Sequence, residues 1–133
     1  MNPKLEPAKT FRDLVVWHKA HEFVLAVYRF TTAFPKQETY GLASQMRRAA
    51  VSIPANIAEG FDSGSSTDFA HFLTYSRRSG SEVQSHLYVA LDRQYITQGE
   101  FEEAYVKAIA LKSLVGGLIR HLRGGSRRTL IGT

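Results

Sequence analysis

Gln45, Arg48, Ser52, Asn56 and Glu59 follow one another at spacings of three, four, four and three, which aligns them as one polar stripe on a helix. Arg48 and Glu59 are its charged members. Such a line can form a polar site on a bundle surface or inside an oligomer. It can equally be a solvent face, or a hydrogen-bond network that sets helix register. Pro54 interrupts it and leaves the carbonyl near Ala50 in need of another donor. His18, His21 and Glu22 share a second helical face, and Glu82 and His86 lie four apart. A di-iron bundle site requires Glu-x-x-His from each of two helices plus two further glutamates. Glu-x-x-His does not occur, so these histidines read as surface or interface residues and no metal or other cofactor is expected. There is no cysteine, which excludes disulfides, thiolate zinc sites and cysteine nucleophiles. Neither a P-loop nor Gly-x-Ser-x-Gly is present, and no nucleophile is paired with a base. No catalytic residue is therefore assigned, and the chain is expected not to be an enzyme.

Charge placement is the other chemical signal. The net charge is +5, yet Met1 to Val106 is close to neutral. Lys107, Lys112, Arg120, Arg123, Arg127 and Arg128 follow with no acid after them. Clustered cations attract phosphate backbones. They also complement the carboxyl end of a helix and keep it solvated. The six are the candidate nucleic-acid contacts.

Four amphipathic helices must position these groups. The first is expected over about 12–34, with Val16, Ala20, Phe23, Val27, Phe30 and Phe34 on one stripe and Pro35 ending it. The second, about 38–60, carries Leu42, Met46, Ala49, Ile53 and Ile57, with a kink at Pro54 and Gly60 as C-cap. Ser65 with Asp68 and Thr97 with Glu100 have capping-box spacing. They open helices over about 66–95 and 98–123. Small residues Ser76, Ser79 and Gly80 mark a place for close helix approach, and Gly116 and Gly117 weaken the last helix by about 1 kcal/mol each relative to alanine. Short connections favour antiparallel neighbours, giving an all-α, up-down-up-down four-helix bundle as one domain over 1–133. Residues 1–10 read as a flexible N-terminus and 124–133 as a basic tail. No apolar run is long enough to span a bilayer, and the proline-bearing start has no signal-peptide character, so a soluble, cytoplasmic protein is expected.

Specific stretches carry a family resemblance. Leu14-Val15-Val16-Trp17-His18-Lys19-Ala20 resembles the opening of the four-helix-bundle proteins encoded in intervening sequences of 23S rRNA genes. Phe34-Pro35 with Glu38-Thr39-Tyr40-Gly41-Leu42 resembles their first inter-helix turn, and the run Gln45 to Gly60 is similar to their signature helix. Asp68-Phe69, Phe72-Leu73, Ser79 and Glu82 continue the match, which covers about Leu14 to Leu122. The resemblance implies a homopentamer with no established enzymatic activity. The related accessory proteins of diversity-generating retroelements form basic pentamers that bind nucleic acid and a reverse transcriptase. Two departures stand out. Phe61-Asp62-Ser63-Gly64-Ser65-Ser66 replaces the basic residues common after the signature, and Arg78 stands where glycine is common. The resemblance therefore lends that loop no phosphate-binding role.

Tyr28, Tyr40, Tyr75, Tyr88, Tyr95 and Tyr105 add the amphipathic area typical of interfaces. Together these features lead to a homo-oligomeric, non-enzymatic adaptor that binds RNA, DNA or a nucleic-acid-processing protein through its basic carboxyl-terminal surface. Two alternatives stand beside it. One is a protein-interaction scaffold without nucleic-acid binding; the other is a small-molecule or metal site in the bundle or ring interior, built on Arg48, Asn56 and Glu59 or on the histidines.

Overall fold

The computed structural model describes residues 7–124, and every long element in that span is a helix. Helix α1 covers Val15–Thr31, α2 Leu42–Asp62, α3 Ser66–Asp92 and α4 Gln98–Arg123. They form an antiparallel four-helix bundle in which each helix packs on its neighbours in sequence. The α2–α3 and α3–α4 seams are the most extensive, and α1–α4 is the least. Phe69, Met46, Ile53, Ile57, Leu73, Leu87, Val27, Val83 and Val115 are fully buried and form the shared core.

Helix ends follow capping chemistry more closely than apolar periodicity. At the amino end, Thr10 and Asp13 close a capping box around a 3-10 turn at Phe11–Asp13, so α1 starts at Val15 rather than near residue 12. Both backbone N–H groups, of Lys9 and Thr10, donate to the Asp13 carboxylate. The Thr97–Glu100 capping box is complete at α4, and the Ser65 hydroxyl accepts from the Asp68 N–H at α3. Helix α3 ends at Asp92, short of Tyr95, because the chain turns into a Schellman motif. There the Tyr95 N–H bonds the Ala90 carbonyl and the Gln94 N–H bonds that of Leu91, with Gln94 left-handed at φ 61°.

Helix α2 differs from expectation at both ends. A 3-10 turn at Lys36–Glu38 delays its start to Leu42. It also runs past Gly60 to Asp62, so Gly60 is not its C-cap. A Cβ at Gly60 would stand 2.8 Å from the Phe69 ring and 2.9 Å from Phe72 Cβ, so this glycine exists for close approach of α3. Pro54 lies inside the helix without ending it. Two loops are tied at the far end: Glu38 accepts from the Leu42 N–H and from the Tyr95 hydroxyl, at 3.0 and 2.8 Å. Those two donors hold the Glu38 carboxyl below its ordinary pKa.

Candidate nucleic-acid interface

The polar stripe of α2 meets α3. Ser52 and Ser79 hydroxyls are 2.9 Å apart, and the Asn56 amide donates to the Ser52 carbonyl and hydroxyl. Ser76, buried, donates to the Ile53 carbonyl at 2.8 Å. Side-chain donors thus reach the Ser52 and Ile53 carbonyls, whereas the carbonyl Pro54 deprives of its helical donor is that of Ala50. Gln45, Arg48, Ser52, Ser79 and Glu82 line a shallow cleft of about 340 Å³ above this network. Glu59, the last member of the stripe, is exposed. Ser52 and Asn56 therefore bond internally, while the charged members Arg48 and Glu59 are exposed on either side of them.

Of the six predicted cations, four fall in the described residues. They do not share one face. Lys107 lies on the α1 side of α4, beside Arg29, and its ammonium is 3.2 Å from Glu103. Lys112, Arg120 and Arg123 follow at spacings of eight and three on the α3 side. Lys112 is half-buried and donates to Gln84 Oε1 at 2.8 Å, so its charge is held in the α3–α4 seam. Its stem also fills the space above Gly80, where a Cβ would stand 2.9 Å from Lys112 Cγ. Arg120 and Arg123 are exposed. Arg123 borders a cleft of about 370 Å³ with Ser66, Thr67, Ala70, His71 and Leu122. Arg127 and Arg128 lie outside the described residues.

Sequence reasoning missed Arg77. From α3 it reaches across the seam to Gly116 on α4, where its Nη1 lies 3.9 Å from the position a Cβ would take. Arg120 folds back over the same glycine, its Nη1 at 3.6 Å from that point. Neither guanidinium has a hydrogen-bond or ion-pair partner among the described residues. The glycine pair was the available signal, but it reads from sequence as a weakness in the helix rather than as a platform. The partner of that platform could be named only once the α3–α4 register was known.

The histidines are scattered. His18 Nε2 donates to the Arg12 carbonyl at 2.6 Å, His21 stacks on Trp17, and His86 meets Glu82 at 3.3 Å. Among the described residues no three or more His, Asp or Glu side chains gather as metal ligands. No helix there is long and apolar enough to cross a membrane. The α1–α4 seam opens into a groove of about 490 Å³. Phe23, Leu25, Leu111 and Leu114 line it, with Lys19, Glu22, Arg29 and Lys107 on the rim.

No curated protein matches the chain. The crystal structure of a protein of unknown function from the S23 ribosomal protein family of Bacteroides thetaiotaomicron superposes with a TM-score of 0.74. At 24% identity the match covers 82% of this chain and 98% of that one, which establishes a common fold. The model of the 23S rRNA-intervening sequence protein family matches residues 12–117, from the first 3-10 turn to the glycine pair of α4. This four-helix bundle therefore belongs to the 23S rRNA-intervening sequence protein family.

Proposed function

We propose that this chain is a non-enzymatic, homo-oligomeric cytoplasmic adaptor that binds nucleic acid through the α3–α4 seam at the carboxyl end of α4. The observation that carries the reading is the pair of exposed arginines Arg120 and Arg123 at that end, which have no partner among the described residues. No acid follows Glu103 along α4. Unpaired cations on one surface are the electrostatic footprint of a phosphate-binding face.

Exposed apolar surface supports self-assembly. Val106, Ile109 and Leu114 on α4 are 62%, 51% and 45% exposed, and Leu25 on α1 is 46% exposed. A bundle that leaves this much apolar surface in water has area to cover with other copies. Repetition of the basic seam around an oligomer would multiply phosphate attraction without a base-reading motif.

The test is a fluorescence-anisotropy titration of a labelled structured RNA and a matched DNA at several salt concentrations. Light scattering on the same sample gives the oligomer mass. The reading expects binding that weakens steeply with salt, and that fades when Arg120, Arg123, Arg127 and Arg128 are neutralised together. Salt-insensitive or absent binding beside a specific captured protein would replace it with the scaffold reading.

A further inference from the structure

Gly116 and Gly117 stand two turns before the end of α4, where each costs about 1 kcal/mol of helix propensity relative to alanine. The helix nevertheless continues to Arg123. The space these glycines leave is filled by charge. Helical side chains lean toward the amino terminus. Arg120 accordingly lies back over the pair, with Nη1 3.6 Å from the Gly116 Cβ position and Nη2 3.7 Å from that of Gly117. Arg77 arrives from α3 with its Nη1 3.9 Å from the Gly116 point. Two guanidiniums thus flank one glycine from two helices.

Like charges repel at this range, and among the described residues no carboxylate is paired with either arginine. Neither fork has a partner, no acid lies on α4 beyond Glu103, and none lies on α3 between Asp68 and Glu82. Lys112, one turn before Gly116 on α4, is also cationic but donates to Gln84. Two planar forks that converge without an acceptor present N–H groups suited to an oxyanion with several oxygens. The absence of side chains at Gly116 and Gly117 lets both forks lie against the helix, with their outer N–H groups turned to solvent.

We infer that Arg77 and Arg120 form a phosphate subsite over the Gly116–Gly117 step. The shared chemistry is a phosphate group, supplied by a polynucleotide backbone or by the free ion. The polynucleotide source rests on the function proposed above; the subsite itself does not.

The experiment uses the full chain and two probes. A labelled single-stranded RNA is titrated by anisotropy, and inorganic phosphate is titrated by calorimetry at constant ionic strength against chloride. The variants are Arg77→Ala, Arg120→Ala, their combination and Arg77→Lys, with Arg29→Ala on the opposite α1–α4 seam as control. Each alanine variant is expected to weaken RNA binding about tenfold or more, as for a lost charge-assisted hydrogen bond. The double variant should also lower the salt slope by about one. Arg77→Lys keeps the charge without the fork, so it should retain the slope and lose affinity. Arg29→Ala should match wild type, and all variants should melt with the parent.

The outcomes separate the two claims. If Arg77→Ala binds both probes like wild type while the four-arginine variant does not bind RNA, the subsite is wrong and the nucleic-acid reading stands. If phosphate binds and depends on both arginines but RNA does not bind, the subsite stands and that reading falls. Equal losses in Arg29→Ala, or no binding of either probe, overturn the subsite.

Discussion

Helix α3 has two polar seams, and the molecule treats them in opposite ways. Toward α2, Ser76 donates to the Ile53 carbonyl and Ser79 pairs with Ser52, which also accepts from Asn56, and Gly60 lets the backbones close up against Phe69 and Phe72. Toward α4, Lys112 donates to Gln84, but farther along Arg77 and Arg120 meet over another glycine and find no partner among the described residues. Glycine brings helices together on the first side and makes room for side chains on the second. Hydroxyls bonded to one another stabilise and set register. Unsatisfied guanidiniums at a surface cost little because water reaches them, and they stay available to a ligand. Polarity alone therefore does not identify a site; what matters is whether the polar groups already satisfy one another.

That contrast can be broken from the α2 side first. Phe69→Ala should cost about 3–5 kcal/mol through the cavity it leaves at the heart of the seam. The denaturant midpoint reads this directly, and a loss below 1 kcal/mol would mean the seam is not closely packed. Gly60→Ala is expected to cost about 1–3 kcal/mol, since its new Cβ would overlap Phe69 and Phe72. A neutral or stabilising result there would show that the two helices can part at little cost. Ser76→Ala should lose about 0.5–1.5 kcal/mol with its hydrogen bond. Arg77→Ala, one residue along on the other seam, should stay within about 0.5 kcal/mol of wild type in the same melt. Comparable losses in these two variants would erase the distinction.

Smaller effects lie where the loops meet. At Gln94, glycine should raise stability by up to about 1 kcal/mol, because the left-handed conformation no longer carries a side-chain penalty. Glu38 supplies a pH test. Its folded pKa lies below the unfolded one, so its contribution is present above about pH 4.3 and fades as pH falls through the folded value. The melting difference between wild type and Glu38→Gln should therefore shrink in acid; a constant difference down to pH 3 would detach the carboxylate charge from the loop tie.

The four helices were legible from apolar spacing because amphipathic periodicity repeats every turn and needs no knowledge of neighbours. The α4 capping box was legible for the same reason, since its donors and acceptors are three residues apart. Gly60 misled because a glycine near a helix end has two uses, and only the position of Phe69 separates them. Gln94 went unseen because its residue type does not announce a left-handed turn. Within the candidate site, Arg120 and Arg123 were visible as charges on one helix. Lys107 was grouped with them, although rotation about the helix turns it toward α1 and Glu103.

What the sequence by itself determined is the set of local choices: helix number and order, the capping box at α4, the apolar faces and the acid-free carboxyl end. Each depends on residues within a turn or two of one another. Tertiary structure decided which side chains stand opposite across a seam. That choice follows from axial register and rotation, which the whole core sets at once through burial of Phe69, Met46, Leu73 and Leu87. Arg77 and Arg120 are 43 positions apart, and only that packing brings them to one glycine.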